Sequence, residues 1–356
     1  AKLSVGLDIG FSSIKAVALD IKSKPPKLIS LGSIPAPIPG IVSDGETDLI
    51  AVAEAIKKLF SAAKIDTKDV IAALPESKVF TRVIDDLPFL NDNDLASAIR
   101  FASEEFIPMP ITEVNLYWQV LSRTDKADNK TEVVSVGQNE QKSGRTVVFV
   151  IATPKNIINR YLKVFTLANL KPQAIETEII ASTRSIVGNN PFSPSTLIIQ
   201  MGATTTDIAV VSKGLIWLTR SISTGGQALT RSIAQQFNFE IPQAEEYKKV
   251  YGMLEDQLEG KVFEAIKPVV DLIVTETKRV IQAFDMKYPH NAIKRVVLSG
   301  GGAKMPGLVI YFANNLGLEV QEADPWYFVG KDKSIISKLA QDGPLYSVAV
   351  GLALRE

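Results

Sequence analysis

Two stretches of the chain, GLDIGFSSIKAV at Gly6–Val17 and IIQMGATTTDIAVV at Ile198–Val211, share one pattern and decide the fold. In each stretch an apolar strand runs into a glycine, small hydroxyl residues follow, and a second apolar strand leaves. This pattern predicts a β-hairpin whose tip carries no bulky side chains. Because the two stretches lie far apart in the chain, they predict a structure built from two similar halves.

The two predicted tips are suited to binding phosphate. Their glycines and hydroxyl residues fall in register: Gly10 with Gly202, Ser12 with Thr204, and Ser13 with Thr205. Backbone N–H groups and hydroxyls at a tight turn form a concave set of donors, which an oligophosphate requires. Either hairpin alone is ordinary turn chemistry, but the pair predicts two clamps on one nucleotide. The predicted phosphate-binding residues are Gly10, Phe11, Ser12, Ser13, Lys15, Gly202, Ala203, Thr204 and Thr205.

A third element, LSGGGAKMPGL at Leu298–Leu308, follows an apolar strand and precedes a helical pattern in which Pro306 suits the first turn. Three consecutive glycines let the backbone approach a flat ligand, and a methionine can cover the face of a base. Taken singly, the element is better explained as a flexible connector. The order of all three elements favours a nucleotide site, with the base lined by Gly300, Gly301, Gly302 and Met305.

Composition narrows the possible functions. The 356 residues are 46% hydrophobic and carry 39 basic and 39 acidic side chains, so no electrostatic footprint for nucleic acid or an anionic membrane is expected. The chain has no cysteine and a single histidine, His290, which excludes disulfides and thiolate catalysis. No apolar run is long enough to span a membrane and no signal peptide opens the chain. A cytoplasmic location is expected.

The order hairpin, hairpin, triple glycine resembles the phosphate 1, phosphate 2 and adenosine motifs of the actin-like ATPase superfamily. Four further stretches are similar to the type IV pilus assembly protein PilM family: Ile38–Phe60, Ile99–Leu121, Ala152–Ile186 and Gly343–Arg355. The resemblance covers essentially the whole chain. It implies an α/β fold of the actin-like (ribonuclease H-like) type, with two duplicated domains and an inserted α+β subdomain of the 1C or SHS2-like type.

The resemblance also implies a division into subdomains, which agrees with the local patterns. A helix is predicted over 48–63, another over 92–106 within the insert, and a helical region over 224–293. The polar stretch Arg123–Gly144 is predicted to be a mobile hairpin tip or loop. The implied segments are 1–75 (subdomain 1A), 76–153 (insert 1C), 154–194 (1A with the interdomain helix), 195–224 (2A), 225–292 (2B), 293–340 (2A) and 341–356 (a helix returning to the first domain).

The resemblance implies ATP with Mg²⁺ as the ligand. Asp8, at the end of the first strand, points to where Mg²⁺ would lie between phosphates, and Asp207 is a second metal candidate; a strand-end turn residue is the alternative for Asp8. Glu245 and Lys248, one helical turn apart, match positions that contact ribose and base in similar proteins. A surface salt bridge explains this pair equally well.

Hydrolysis is less well supported by the residues. Glu178 matches the place where related ATPases position the attacking water, and Glu176 is a neighbouring candidate. The second hairpin, however, begins with Gln200 where the superfamily pattern commonly has aspartate. An amide does not supply the negative charge that the magnesium hydration shell prefers. The sequence therefore predicts a chain that binds ATP and hydrolyses it slowly or not at all.

The resemblance implies a partner, the cytoplasmic N-terminal tail of a PilN-like membrane protein, held in a groove between subdomains 1A and 1C. Binding would respond to nucleotide because closure of two domains changes the surface presented. Membrane association would then occur through the partner only, at the inner membrane, and a pilus assembly ATPase is a second candidate partner. The candidate contact residues lie in Arg82–Tyr117 and are Arg82, Phe101, Phe106 and Tyr117; an exposed phenylalanine such as Phe101 is more often incidental than a binding residue.

Three other functions fit the same motifs. A cell-division scaffold of the FtsA type shares the insert and the clamps, but is expected to continue into a C-terminal amphipathic helix, whereas this sequence stops at Leu-Arg-Glu. A small-molecule kinase of the superfamily would use Asp207 or Glu178 as a base. A purely structural interaction domain with a vestigial pocket would not be stabilised by Mg-ATP.

Overall fold

The computed structural model of the chain describes residues 2–124 and 144–355. The predicted loop over 123–144 therefore lies almost entirely outside the described residues. The strands are β1 (Leu3–Ile9), β2 (Ser13–Asp20), β3 (Lys27–Pro35), β4 (Asp69–Leu74), β5 (Phe80–Pro88), β6 (Val114–Thr124), β7 (Arg145–Pro154), β8 (Lys171–Thr177), β9 (Thr196–Met201), β10 (Thr206–Ser212), β11 (Leu215–Ile222), β12 (Arg295–Ser299) and β13 (Glu319–Glu322). The helices are α1 (Glu46–Ala62), α2 (Asp92–Ser103), α3 (Lys155–Leu167), α4 (Glu178–Ile186), α5 (Gly226–Phe237), α6 (Ile241–Tyr251), α7 (Lys261–Lys287), α8 (Leu308–Leu316), α9 (Ile336–Gln341) and α10 (Ser347–Ala353).

Two five-stranded sheets repeat one topology. The first sheet has the order β3-β2-β1-β4-β8 and the second has the order β11-β10-β9-β12-β13. In both, the two strands of the opening hairpin pair antiparallel, and the incoming strand pairs parallel with a later strand. The correspondence of β1 with β9 and of β2 with β10 shows that the similarity of the two sequence stretches reflects a duplicated structure.

Local sequence explains why these elements form. Strands β9 and β10 are apolar and fully buried, as expected for the centre of a sheet covered on both faces. Helix α1 buries Leu49, Val52 and Ile56, which recur at helical spacing, and carries acidic residues in its first turn, where they complement the helix dipole. Helix α7 likewise packs its apolar face into the core of the second half.

The insert between β4 and α3 forms a third, smaller sheet with the order β5-β7-β6. One face packs against α2, through Leu95 and Ile99 on the helix and Val148 and Val150 on β7. The opposite face packs against the second half, where the hydroxyl oxygens of Thr81 and Thr219 lie 2.6 Å apart. The insert therefore packs against the second half through the face that α2 leaves uncovered.

Two helices cross close together between the halves. Helix α10 packs against α4 and β1, and the approach leaves no space for a side chain: a Cβ on Gly351 would lie 1.7 Å from the carbonyl oxygen of Ala181, and one on Gly6 would lie 2.0 Å from that of Ala349. Such contacts position the first residue of α4, Glu178, at the junction of the two halves.

The predicted helical region 224–293 contains three helices, α5, α6 and α7, separated by turns, including a left-handed Asn238 that ends α5. One detail of the sequence-based expectation was wrong. Pro306 does not occupy the first turn of a helix, because α8 begins at Leu308 with Gly307 as its N-cap. Among the helices formed by residues 2–124 and 144–355, none is long and apolar enough to cross a bilayer.

Candidate functional site

The two hairpin tips have the same turn. In the first, the N–H of Gly10 donates to the carbonyl oxygen of Ser13 (3.1 Å), and in the second the N–H of Gly202 donates to that of Thr205 (2.9 Å). A Cβ on Gly10 would lie 2.9 Å from that acceptor, so the tight turn requires glycine. Ser12 in the first tip and Thr204 in the second, both predicted to bind phosphate, are exposed to solvent.

The N-terminus of α5 lies directly on the second tip. The N–H of Gly226 donates to the carbonyl oxygen of Gly202, and the N–H of Gln227 donates to that of Ala203, both at 2.9 Å. A Cβ on Gly225 would lie 2.6 Å from the Gly202 oxygen, which explains the small residues at this position. The positive end of the helix dipole is thereby brought to the predicted phosphate site.

Glu245 and Lys248 lie on α6 and bond to each other. The ammonium of Lys248 donates to the Glu245 carboxylate (2.6 Å), to the Thr230 hydroxyl (2.9 Å) and to the carbonyl oxygen of Gly226 (3.1 Å). The salt bridge considered from sequence is thus present, and it also links α6 to the first turn of α5. Both side chains therefore lie beside the second tip, where they remain predicted ribose and base contacts.

The triple glycine packs against the strand that leads into the second tip. Gly300 has φ +80° and a Cβ there would lie 2.5 Å from the carbonyl oxygen of Met201, the residue before Gly202. Gly302 lies close to the side chain of Met201, because a Cβ on Gly302 would be 2.7 Å from the Met201 Cβ. Met305 is buried, and its side chain contacts Gly252 at the end of α6. The glycines, the second tip and α6 thus form one wall.

The first hairpin contributes a buried ion pair next to its tip. Asp8 and Lys15 face each other in register across β1 and β2, with Nζ 3.6 Å from the carboxylate. Burial raises the pKa of Asp8, and the charge of Lys15 acts in the opposite direction. The equivalent pair in the second hairpin is Gln200 and Asp207.

Asp207 has polar neighbours and no cation. Its carboxylate accepts hydrogen bonds from Ser221 (2.5 Å) and Thr205 (3.3 Å), and none of the ion pairs formed by the described residues includes it. Burial raises its pKa to about 6, although both hydroxyl hydrogen bonds oppose the shift. A buried carboxylate without a counter-charge suits a site that receives a cation.

Glu178 connects the two hairpins. The Gln200 amide donates to its carboxylate (3.2 Å), and the Ser182 hydroxyl donates to the amide oxygen of Gln200. Burial raises the pKa of Glu178 well above its usual range, and the negative charges of Asp8 and Asp207 raise it further. The effect of one charge on another falls with distance. Asp8 of the first hairpin and Asp207 of the second therefore both lie near the Glu178 carboxylate.

Sequence reasoning missed Glu76, which follows β4. It is 4% exposed, and neither carboxylate oxygen has a hydrogen-bond partner. Burial and the charge of Asp207 raise its pKa to about 8, although Thr177, the Ile179 N–H and Thr219 face it and oppose the shift. Glu76 therefore adds a fourth carboxyl group to the junction of the two halves.

Glu176, the second candidate for positioning water, has a different environment. Arg184 donates to both of its carboxylate oxygens (2.6 and 2.9 Å), and Arg355 donates to one of them (2.6 Å). Arg184 also bonds the carbonyl oxygen of Gly351 in α10. These bonds link β8, α4 and the end of the chain. Both carboxylate oxygens of Glu176 are therefore already bonded to arginines.

The candidate partner residues divide between the two faces of the insert sheet. Arg82 lies over the ring of Phe106, with its guanidinium carbon 5.6 Å from the centroid, and Phe101 is exposed on α2. Tyr117 is also exposed, but it aligns with Ile151 and Thr81, whereas Arg82 aligns with Val150. Since aligned residues of a sheet share a face, Tyr117 lies on the face opposite to Arg82.

The residues near the junction fit a hydrated magnesium ion with phosphates. In the part of the chain that the structure describes, no three Asp, Glu or His side chains are placed to ligate one metal directly. Mg²⁺ usually keeps several waters and binds through one or two carboxylates plus substrate phosphates. The uncompensated carboxylates Asp207, Glu178 and Glu76 suit such an arrangement, with Asp8 on the facing strand.

The paired sheets of identical topology, with a glycine-hydroxyl hairpin at the start of each, define an actin-like ATPase fold, which confirms the predicted fold class. The chain belongs to the type IV pilus assembly protein PilM family, whose family model matches residues 6–356. A chain of the solved PilM-PilN type IV pilus biogenesis complex has a TM-score of 0.81 and 28% sequence identity, covering 99% of this chain and 98% of that one.

Two further comparisons describe more distant similarity. Cell division protein FtsA of Enterococcus faecalis is 24% identical over 91% of this chain and 78% of its own length. MreB5 of Spiroplasma citri, solved with bound AMPPNP, has a TM-score of 0.51 at 16% identity, covering 99% of this chain and 95% of that one. The chain is thus similar in sequence to a cell-division protein and in fold to MreB5.

Proposed function

We propose that this chain is an ATP-binding scaffold of the type IV pilus assembly platform, and that the nucleotide binds with Mg²⁺ between the two hairpins. The proposal rests on the two hairpin tips, one in each half, which have the same turn, and on Glu178, which accepts a hydrogen bond from Gln200 of the second hairpin. Burial raises the pKa of Glu178, and acids of both hairpins raise it further. A single ligand at that junction contacts both halves. The actin-like MreB5 solved with AMPPNP shares the fold and supports the same ligand class.

The phosphates would be bound by groups of unequal charge. The first hairpin offers backbone donors, hydroxyls and the ammonium of Lys15, while the second offers backbone donors, hydroxyls and the N-terminus of α5. Mg²⁺, when bound, supplies the positive charge that neutralises the phosphates. Asp8, Asp207 and Glu178 would accept hydrogen bonds from its hydration shell.

The site is suited to binding more than to hydrolysis. Gln200 is buried and held between Glu178 and Ser182, so its amide occupies the place where an acid would otherwise orient the metal. Glu178 stays the candidate for positioning water, since Glu176 is occupied by arginines. A steady-state ATPase assay tests this: slow turnover is expected, and brisk turnover that Gln200→Ala abolishes would contradict it.

The insert is proposed to bind the cytoplasmic N-terminal tail of a PilN-like membrane protein. The solved relative is named as a PilM-PilN complex, which supports this partner. Arg82, Phe106 and Phe101 lie on the α2 side of the insert and offer a cation and apolar rings. An extended peptide uses such pockets together with backbone hydrogen bonds. A pilus assembly ATPase stays a predicted second partner.

Contacts between the insert and the second half give nucleotide a route to the partner surface. The Thr81 and Thr219 hydroxyls bond, and the Lys287 ammonium lies 2.5 Å from the Asp85 carboxylate. A closure that moves the second half would therefore act directly on β5, the strand that carries Arg82. A ligand shifts such an equilibrium only if it binds the two states differently.

A peptide titration tests the partner and its coupling together. A fluorescent peptide of the membrane protein's cytoplasmic tail is titrated with the full chain, with and without Mg-ATP, by anisotropy. We expect Phe101→Ala and Arg82→Ala to weaken binding about tenfold, and Tyr117→Ala, on the opposite face, to leave it unchanged. Equal affinity with and without nucleotide would contradict the coupling, and equal loss in all three variants would contradict the assigned face.

A further inference from the structure

Six lysines lie in two segments from opposite ends of the chain that are bonded to each other. Gly330 bridges to Lys27, with the Leu28 N–H donating to the Gly330 oxygen (2.9 Å) and the Gly330 N–H donating to the Pro26 oxygen (2.8 Å). Lys27 and Lys331 line one shallow depression together with Ser23 and Asp332. The lysine surface, formed by residues 22–27 and 330–338, comprises Lys22, Lys24, Lys27, Lys331, Lys333 and Lys338.

The charges of the lysine surface are not neutralised by ion pairs. Of the ion pairs formed within residues 2–124 and 144–355, none includes any of these six lysines, whereas nine lysines elsewhere are paired. The nearest acids are engaged by backbone N–H groups: Asp332 accepts from Ser334 (2.9 Å) and Asp20 accepts from Lys22 (3.1 Å). The balanced charge of the whole chain therefore conceals a local excess of positive charge.

Exposed apolar side chains lie in or next to the same two segments in sequence. Ile29, two residues after Lys27 in β3, is 50% exposed, Ile336 in α9 is 43% exposed, and Tyr327 is 75% exposed. The buried ring of Trp326 and the buried side chain of Leu339 attach residues 330–338 to the hydrophobic core. A fixed platform thus presents lysines together with a few residues that favour a water–lipid boundary.

We propose that the lysine surface binds the headgroups of an anionic lipid bilayer directly, in addition to any membrane protein partner. Three observations favour lipid over an acidic protein. All six cations are lysine and none is arginine, the residue that recognises carboxylates in a bidentate manner. The depression on this surface, lined by Ser23, Lys27, Lys331 and Asp332 among others, has a volume of about 290 Å³, which is small for a peptide. The flanking isoleucines and tyrosine suit insertion at the level of the headgroups.

Sedimentation with lipid vesicles tests the proposal without partner or nucleotide, so its failure is separate from failure of the proposed function. The full chain is mixed with phosphatidylcholine vesicles that contain about one third phosphatidylglycerol. Lys24→Gln/Lys27→Gln/Lys333→Gln is expected to bind on the order of 100-fold more weakly, from about fivefold for each lysine. The matched control is Lys57→Gln/Lys58→Gln/Lys163→Gln, which removes the same charge from α1 and α3 and should bind normally.

Each result decides the question. Binding that requires phosphatidylglycerol, falls with salt and is lost only in the first triple variant supports the proposal. Equal binding to pure phosphatidylcholine, no vesicle binding, or equal loss in both triple variants overturns it. Polyglutamate that binds the chain more tightly than the vesicles do also overturns it, in favour of an acidic protein partner. Since all the substituted lysines are exposed, unchanged melting temperatures serve as the folding check.

Discussion

The first and second hairpins have the same turn but different charges behind it. In the first, Asp8 on the incoming strand pairs with Lys15 on the outgoing strand. In the second, Gln200 replaces the acid on the incoming strand, and Asp207 stands where the first hairpin has its lysine. The two hairpins share the backbone geometry that we propose to hold phosphate, while the charges that we propose to decide metal binding and hydrolysis differ.

The largest expected effect comes from removing the cation of the first hairpin. Lys15→Met keeps most of the side-chain volume but leaves the buried Asp8 carboxylate without its partner, and it removes an ammonium from the phosphates. We expect Mg-ATP binding to weaken about 100-fold by calorimetry, about 3 kcal/mol. Thr204→Val in the second tip, which loses one exposed hydroxyl, should cost far less. Equal losses in the two variants would remove the distinction between the hairpins.

The acids near the second hairpin are expected to make the free chain less stable as pH rises. Glu76 has a pKa of about 8 in the folded chain, above its ordinary 4.5, so the folded chain retains a proton that the unfolded chain releases. Its contribution to stability is complete below about pH 4.5 and is lost as pH approaches 8. Glu76→Gln should reduce the decline in unfolding free energy between pH 5 and 8 by about 3 kcal/mol.

Urea unfolding without nucleotide measures this pH dependence. Glu54→Gln, an exposed change on α1, is the control and should follow the native chain. Saturating Mg-ATP should flatten the native profile, because a cation at the junction would favour ionised carboxylates. If Glu76→Gln declined with pH as steeply as the native chain, the buried carboxyl group would not be the cause.

Placing an acid in the incoming strand of the second hairpin should speed ATP hydrolysis. Gln200→Asp gives both incoming strands a carboxylate, and we expect the rate of ATP hydrolysis to rise about tenfold in a phosphate-release assay. Without magnesium the same variant should be less stable, since the new acid lies beside Glu178. Gln200→Asn keeps the amide and is the control. A rate unchanged in the aspartate variant would mean that this position does not limit hydrolysis.

The smallest expected difference lies in the turns themselves. Gly10→Ala places a Cβ 2.9 Å from the Ser13 oxygen, and Gly202→Ala places one 3.1 Å from the Thr205 oxygen. The first substitution should lower the unfolding free energy by about 1 kcal/mol more than the second, because a backbone atom must move to relieve the closer contact. Thermal melting of the two variants measures the difference. A larger loss in Gly202→Ala would show that the second turn is the tighter one.

Local sequence was sufficient to predict the duplicated fold and the two tips, because a glycine and small hydroxyls between apolar strands leave few alternatives. It was not sufficient where chain segments meet only in three dimensions. Glu76 lies in an ordinary Pro-Glu-Ser turn, and its unusual environment depends on Asp207 from the other half. Tyr117 falls on the other face from Arg82 because of the strand register within the insert.

The total numbers of basic and acidic residues were the least informative feature of the sequence, because they do not show where charges gather on the surface. Equal numbers of basic and acidic residues predicted no anionic surface partner, yet the lysine surface forms where residues 22–27 meet residues 330–338. Similarly, the ion pairs of Glu176 with Arg184 and Arg355 depend on the return of the chain end to the first half. Tertiary contacts thus determine which charges are paired and which remain available.

The central claim is that the two hairpins bind the phosphates of one nucleotide. A crystal structure of the chain with Mg²⁺ and a non-hydrolysable ATP analogue tests it most directly. The account predicts phosphate oxygens within hydrogen-bonding distance of both the Gly10–Ser13 turn and the Gly202–Thr205 turn, with the metal on the side of Asp8 and Glu178. A nucleotide bound by one turn alone, or bound away from both, would contradict it.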